Sequence, residues 1–245
     1  MVSVLIPTIS KLYLPTLIPT LIPEIQSVGG EIIIANNKAI PENITFLRDK
    51  PYTVFNYHSP RSFARSNNAM ARYAKHEHLL LLNDDTFIQK GLIQTMKSVI
   101  DNGNNIGAVG CKIYNWQENK IQHAGIRFND EGYPFEIRYE QKNHPNADCV
   151  KEVQAVTAAC LMTTKTVWRK VKGLDERYVN GWEDNDFNLK VREAGYKIWY
   201  TGKASIRHHH FGSKDFGRMA HEDKNVLLYK KLWIDSGKVF KCVSL

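Results

Sequence analysis

Short apolar runs and helix-like segments alternate along the first hundred residues. Runs rich in Val, Ile, Leu and Phe predict strands, and segments with apolar residues on one side predict amphipathic helices. The predicted strands are residues 2–6, 31–35, 53–55 and 78–82, and the predicted helices are residues 63–75 and 92–100. This alternation favours an α/β domain with a mostly parallel central sheet flanked by helices.

The apolar segment 12–25 does not fit this scheme cleanly. It carries Pro15, Pro19 and Pro23 at four-residue spacing. Pro15 could open a helix, whereas Pro19 and Pro23 are expected to interrupt it. The segment is too short and too broken to span a bilayer. We expect a packed surface helix or turn, and a membrane-facing apolar edge is the alternative.

The second half of the chain is less regular. Short strands are expected at 108–113 and 125–128, an exposed loop at 141–148 and a small, apolar buried segment at 153–163. A strand at 197–200, a His-rich turn at 207–213 and a helix at 219–232 are expected to follow. Phe187, Val191 and Ala194 fall at i, i+4 and i+7, which predicts a helix that Gly195 ends. Neither an internal repeat nor a linker divides the sequence.

The strand at 78–82 contains four consecutive leucines and runs directly into Asn83, Asp84, Asp85 and Thr86. An uninterrupted apolar run is typical of a strand buried on both faces. Open α/β sheets bind ligands beyond the carboxyl ends of their strands. Adjacent carboxylates repel each other, so Mg²⁺ or Mn²⁺ carrying a diphosphate is the expected ligand. An ordinary turn at the strand end is the alternative.

A second acidic cluster, Glu183, Asp184 and Asp186, opens the predicted helix directly after Gly181 and Trp182. Helix capping and the helix dipole explain one or two acids at this place. A carboxylate beside an aromatic ring also suits a general base that deprotonates a sugar hydroxyl. Trp182 could then face the apolar side of that sugar.

Histidines and arginines supply two further candidates. His208, His209 and His210 are consecutive, and at most one or two of them could bind one ion. Arg61 and Arg65 lie at the start of the helix 63–75, where arginines can grip phosphate oxygens. Solvated surface arginines are the alternative. The sequence contains neither a dinucleotide-binding glycine fingerprint nor a P-loop.

The formal net charge of +8 favours an anionic partner, such as a nucleoside diphosphate or an anionic membrane surface. The basic residues are dispersed, so a nucleic-acid partner is not expected. The four cysteines lack metal-binding spacing, and the first residues do not resemble a signal peptide. We therefore expect a cytoplasmic protein, with peripheral contact to a membrane left open.

Taken in order, these segments resemble family 2 glycosyltransferases of the GT-A fold, in particular the rhamnosyltransferase-like group. The resemblance lies in residues 2–8, 31–37, 63–68, 82–86, 106–110, 121–125, 173–176, 183–187 and 208–213. Asn36 and Lys38 stand where that family commonly has Asp and Gly. The resemblance implies one GT-A domain at 1–215, with a nucleotide-binding half (1–105) and an acceptor half (106–215), followed by a C-terminal helical extension at 216–245.

The resemblance also implies an inverting, metal-dependent transfer of a sugar from a UDP-, dTDP- or GDP-sugar to a glycan or lipid-linked acceptor. It assigns Asp184 as the catalytic base with Glu183 as the second choice, Trp182 to the acceptor, and Asp85 with His208 or His210 to Mn²⁺ or Mg²⁺. The implied donor-binding residues are Pro7, Thr8, Asn36, Asn37, Arg61, Arg65, Asn68, Asn83 and Asp84.

Two other classes remain open at this point. A sugar nucleotidyltransferase also uses a pair of acids at a sheet end, but it would usually show a glycine-rich basic signature after the first strand, which residues 7–10 lack. A non-catalytic nucleotide- or carbohydrate-binding module would bind the donor without transferring the sugar.

Overall fold

The computed structural model describes residues 1–118, 120–209 and 218–243, with residues 218–220 described by their backbone alone. The elements follow in chain order as β1 (Val2–Thr8), α1 (Leu14–Val28), β2 (Glu31–Asn37), α2 (Pro41–Leu47), β3 (Thr53–Tyr57), α3 (Phe63–Tyr73), β4 (His78–Leu82), β5 (Thr86–Ile88), α4 (Leu92–Asn102), β6 (Ile106–Asn115), β7 (Ile121–His123), β8 (Ile126–Phe128), β9 (Pro134–Glu136), a 3₁₀ turn (Pro145–Ala147), β10 (Val150–Val153), β11 (Cys160–Thr164), α5 (Lys165–Val171), α6 (Glu183–Glu193), β12 (Lys197–His208), α7 (Arg218–Tyr229), a π-helical turn (Lys230–Ile234) and α8 (Lys238–Val243).

The central sheet has the strand order β10-β12-β6-β11-β4-β1-β2-β3, with β5 paired to β12 and β7 paired to β6. Four of the five strands of the first half, β3-β2-β1-β4, are parallel to one another, as predicted. The second half is mixed because β11 runs antiparallel between β4 and β6. The ends of β1, β2 and β4 therefore meet at one edge of the sheet.

The leucine run of β4 is buried on both faces, as its sequence indicates. Leu80 and Leu82 belong to the core that packs against α1 and α4. Leu79 and Leu81 belong to the opposite core, which packs against α3, α5 and α6. Because helices cover both faces, an acid that follows this strand emerges at the sheet edge.

Helix α1 corrects one prediction: Pro19 and Pro23 do not interrupt it, and the helix continues to Val28. All three prolines are exposed, because their four-residue spacing places them on one solvent-facing side. Water can therefore bind the carbonyl groups that lose their helical N–H partner. The opposite side carries Leu17 and Leu21, which are fully buried in the core.

Three segments of the second half also differ in detail from the prediction. Strand β12 runs on to His208, so Arg207 and His208 lie in a strand rather than in a turn, because both pair with β5 and β6. The predicted loop 141–148 contains the short 3₁₀ turn. The predicted helix 219–232 is divided between α7 and the π-helical turn.

The C-terminal elements pack tightly on the rest of the chain. Tyr229, Trp233 and Val239 form a third apolar core with Tyr178 of the loop before α6 and Leu189 of α6. The Trp233 indole N–H donates to Asp186 Oδ1 at 2.9 Å. In the described ranges, none of the helices has the length and apolar character that a bilayer-spanning segment requires.

Candidate active site

A cleft of about 940 Å³ opens where β1, β2 and β4 end, facing the start of α6. It gathers side chains from both halves of the chain. The predicted site residues that line it are Pro7, Thr8, Asn37, Arg61, Asn83, Asp84, Asp85, Trp182, Glu183, Asp184 and His208. The predicted residues Asn36, Arg65 and Asn68 do not line it, and His210 lies outside the described residues.

Asp84 follows β4 and meets Thr8 at the end of β1, because the two strands are adjacent and parallel. The Thr8 hydroxyl donates to Asp84 Oδ2 at 2.5 Å, and both residues are buried. Burial and the neighbouring charge of Asp85 raise the pKa of Asp84 to about 7, although the Thr8 hydrogen bond opposes this. The carboxylates of Asp84 and Asp85 therefore repel each other, and a bound cation would relieve this repulsion.

Asp85 is brought to His208 by the antiparallel pairing of β5 with β12, in which Thr86 lies opposite His208. His208 Nε2 is 3.1 Å from Asp85 Oδ1. Asp85 Oδ1 is buried and accepts no other hydrogen bond within the described residues. An oxygen and a nitrogen ligand so placed fit Mn²⁺ or Mg²⁺.

These two residues supply only part of a metal site. Across the described ranges, no group of three or more His, Cys, Asp or Glu side chains converges on one point. Mg²⁺ is commonly held by one or two carboxylates together with phosphate oxygens and water. The donor set therefore suits a metal that arrives with a diphosphate better than a fully caged metal.

Gln122 is a cleft residue that was not selected individually from the sequence. Its amide lies 3.3 Å from Nδ1 of His208, so it contacts the ring nitrogen opposite Asp85. Such a contact fixes the orientation of an imidazole ligand. The signal available in the sequence was the segment 121–125, but only the pairing of β7 with β6 shows which of its side chains reaches the cleft.

Helix α6 begins directly after a loop with unusual backbone angles. Asn180, Gly181 and Trp182 have positive φ values of 52°, 159° and 73°. Glu183 is buried, and its Oε2 accepts the Gly181 N–H at 2.5 Å. Glu183 thus stabilises the loop from inside.

Asp184, the next residue, lines the cleft with its carboxylate oriented by backbone groups. Its Oδ1 accepts the Asn185 N–H at 2.9 Å, and its Oδ2 accepts the Ala158 N–H at 3.4 Å. Buried Asn188 ties α6 to the facing segment through hydrogen bonds with both the N–H and the carbonyl of Val156. Asp184 is therefore held in a defined place where α6 borders the cleft.

Trp182 forms part of the cleft wall and is fixed from α7. Its indole N–H donates to Glu222 Oε1 at 2.8 Å. Its ring packs against Tyr229 with the centroids 4.9 Å apart, and Tyr133 approaches it edge-on. An aromatic side chain so held can present one face to a sugar ring.

Arg61 and Asn37 lie next to each other in the lining of the cleft. Asn37 Oδ1 accepts the Arg61 backbone N–H at 3.3 Å, and Asn37 Nδ2 donates to Ser66 at 3.2 Å. The Arg61 guanidinium stacks over the Tyr57 ring at 3.8 Å from its centroid. The stacking leaves the edge of the guanidinium available to an anion.

The other three predicted donor residues have partners elsewhere. Asn36 is buried and donates to Asn56 Oδ1 at 2.8 Å. Arg65 faces Glu176 at 3.6 Å across the surface. Asn68 holds the loop after α5 through two backbone hydrogen bonds. Their side chains brace the elements around the cleft.

Two solved structures with the same fold are glycosyltransferases. GalNAc-T7, solved with UDP, GalNAc and Mn²⁺, matches with a TM-score of 0.67 over 84% of this chain and 43% of its own, at 13% identity. The mannosyltransferase PcManGT from Pyrobaculum calidifontis, solved with GDP-Man and Mn²⁺, matches with a TM-score of 0.63 over 94% of this chain and 64% of its own, also at 13% identity. The fold is that of the GT-A glycosyltransferases, as predicted.

The sequence itself places the chain within that class. The family "Glycosyltransferase like family 2" matches residues 49–222, and the chain belongs to this family. The O-antigen biosynthesis protein RfbC of Myxococcus xanthus is 24% identical over 82% of this chain and 16% of its own length. The uncharacterized protein y4gI of Sinorhizobium fredii is 28% identical over 91% of this chain and 25% of its own. The chain thus spans a quarter or less of these relatives.

Proposed function

We propose that the protein is an inverting, metal-dependent glycosyltransferase that moves a hexosyl or rhamnosyl unit from a nucleoside diphosphate sugar to a glycan hydroxyl. The observation that carries the proposal is that Asp84 and Asp85, from the first half, share one cleft with Asp184, from the second. Family membership and the Mn²⁺-containing structural neighbours support it. The name of the RfbC relative supports a role in polysaccharide biosynthesis.

The donor end of the cleft is formed by Thr8, Asn37, Arg61 and the acid pair. Arg61 offers positive charge to the diphosphate. Mn²⁺ or Mg²⁺ held by Asp85 and His208 would offset the negative charge that develops on the leaving diphosphate. Asp84 remains tied to Thr8 and faces the ribose or the sugar of a UDP-, dTDP- or GDP-linked donor.

At the acceptor end, Asp184 accepts the proton of the attacking hydroxyl. The acceptor oxygen forms a bond to the anomeric carbon while the bond from that carbon to the diphosphate oxygen breaks, and the electron pair leaves with the diphosphate. Attack from the opposite face inverts the configuration. Trp182 supports the acceptor sugar, and the backbone hydrogen bonds to both Asp184 oxygens keep the carboxylate aimed into the cleft.

The test begins with a screen of UDP-, dTDP- and GDP-sugars for Mn²⁺-dependent release of the nucleotide. Asp184→Asn is expected to lower transfer by about 10²–10⁴-fold while nucleotide binding is kept, because a general base contributes about that much. Glu183→Gln is compared to separate the two acids. Asp49→Asn is the matched control, since Asp49 is exposed and outside the cleft.

Full transfer by Asp184→Asn would refute the base assignment. Retention of configuration in the product would refute the inverting mechanism. Absence of both nucleotide binding and nucleotide release with every donor would refute the proposed function as a whole.

A further inference from the structure

A second recess of about 560 Å³ adjoins the cleft along the β8–β9 hairpin. Arg127, Phe135, Glu136, Arg138 and Lys151 line it. Phe135, Glu136 and Arg138 also line the main cleft, so the two spaces lie side by side along this hairpin. A molecule that reacts at Asp184 could therefore extend into the recess.

One of the three cations in the recess is already neutralised. Arg138 donates to Glu136 Oε2 from Nε at 3.1 Å and from Nη2 at 2.8 Å. Burial raises the pKa of Glu136, but nearby His123, whose Nδ1 lies 3.8 Å from Glu136 Oε1, and the hydrogen bonds from Arg138 outweigh burial and lower this pKa to about 2. Glu136 is thus an ionised partner of Arg138.

The other two cations have no such partner. Among the described residues, neither Arg127 nor Lys151 forms an ion pair with a carboxylate. The Lys151 ammonium donates to the backbone carbonyl of Asn146 at 2.8 Å and lies 5.7 Å from the ring centroid of Tyr200. These contacts position the charge at the recess without cancelling it. Within the described ranges, the recess therefore has two positive charges that no carboxylate pairs with.

Aromatic surfaces flank these charges. Phe135 lies opposite Arg127 in the β8–β9 pairing and is 49% exposed. Tyr139, which also lines the recess, stacks on His144 with the ring centroids 3.8 Å apart. An exposed ring and a partly buried ring beside cations suit a ligand that combines apolar ring faces with negative charge.

We propose that this recess binds an anionic group, a phosphate or a carboxylate, carried by the acceptor saccharide next to the reacting sugar. The inference rests on the proposed function and specifies its acceptor class: an acidic glycan rather than a neutral one. Arg127 supplies a planar fork to the oxyanion, and Lys151 supplies a point charge. The rings of Phe135 and Tyr139 contact the sugar that carries the group.

The test measures binding by calorimetry at low salt with glucose, glucose 6-phosphate, glucuronate and inorganic phosphate as probes. The wild type is expected to bind at least one anionic sugar about tenfold tighter than glucose, and Arg127→Gln/Lys151→Gln is expected to lose this preference. Lys142→Gln is the matched control, because Lys142 is exposed and lines neither space. Thermal unfolding checks that each variant is folded.

Equal binding of charged and neutral sugars, weak binding of all four probes, or a preference kept by the double variant would overturn the inference. Equal binding of inorganic phosphate and glucose 6-phosphate would overturn its saccharide part. Donor hydrolysis without acceptor is measured in the same variants and is expected to be unchanged. If the wild type releases no nucleotide from any donor, that result counts against the proposed function alone. The comparison of sugar binding does not depend on nucleotide release.

Discussion

Replacing Trp233 with phenylalanine removes one hydrogen-bond donor from a buried carboxylate at the start of α6. Asp186 is 1% exposed, and its two oxygens accept hydrogen bonds from the Trp233 indole at 2.9 Å and from Lys190 at 3.0 Å. Phenylalanine fills most of the same space but cannot donate. Oδ1 of Asp186 would then lie in the protein interior without its indole partner.

The cost follows from this loss. A hydrogen bond to a charged group contributes about 1.5–3 kcal/mol to the free energy of unfolding. For a chain of this size each kcal/mol lowers the melting temperature by about 2–4 °C, so we expect a decrease of about 3–12 °C. Trp199→Phe is a close control, because the Trp199 indole N–H is also buried and has no hydrogen-bond partner among the described residues. The difference between the two variants isolates the hydrogen bond.

The pH dependence gives a second, independent readout. Burial raises the pKa of Asp186 in the folded state, although the charge of Lys190 and the Trp233 hydrogen bond oppose this. When a carboxyl group has a higher pKa in the folded state than in the unfolded state, the free energy of unfolding falls as the pH rises through these two values. Trp233→Phe should raise the folded pKa further. The stability difference from wild type should therefore be large at neutral pH and shrink as the pH falls towards about 4.

The assay is urea unfolding of wild type, Trp233→Phe and Trp199→Phe at several pH values. A Trp233→Phe variant no less stable than Trp199→Phe would refute the reasoning. A stability difference that grows towards acidic pH would refute the assigned charge state of Asp186.

Two other predictions concern a helix cap and the candidate metal ligand His208. The Glu24 carboxylate caps α4 from α1, accepting hydrogen bonds from the N–H groups of Gly91 at 2.7 Å and Ile93 at 3.1 Å. Glu24→Ala should therefore lower the free energy of unfolding by about 2–3 kcal/mol, measured by urea unfolding. Glu24→Gln should lower it by less. An unchanged urea midpoint in Glu24→Ala would show that this cap does not stabilise the fold. His208→Gln should weaken Mn²⁺ binding in the presence of UDP by at least about tenfold, measured by electron paramagnetic resonance of free Mn²⁺. His58→Gln is the control and should leave Mn²⁺ binding unchanged, because His58 is exposed. Equal Mn²⁺ affinity in both histidine variants would exclude His208 as a ligand.

The parts of the fold predicted from sequence are those encoded by local pattern. Leucines occupy both the odd and the even positions of β4, so the sequence directly predicts that both faces of this strand are buried. The continuity of α1 could not be predicted, because the effect of Pro19 and Pro23 depends on which side of the helix meets solvent. The antiparallel direction of β11 depends on tertiary pairing, which its own residues do not specify.

The same distinction applies to the cleft. Asp84, Asp85 and Asp184 could be selected because each lies at the end of a strand or the start of a helix. Gln122 and Glu136 could not, since only the pairing of β7 with β6 and of β8 with β9 places them there. The roles assigned to individual residues stay predictions.

The left-handed backbone of Trp182 has a consequence for how the cleft opens. A φ of 73° costs a bulky residue about 1–2 kcal/mol, so the side-chain contacts must stabilise the loop by at least that amount. These contacts are the hydrogen bond to Glu222 and the packing on Tyr229, both in α7. When α7 detaches, Trp182 loses the contacts that hold its backbone in this state. The loop that carries Trp182 and helix α7 should therefore open as one cooperative unit, with amide hydrogens that exchange together.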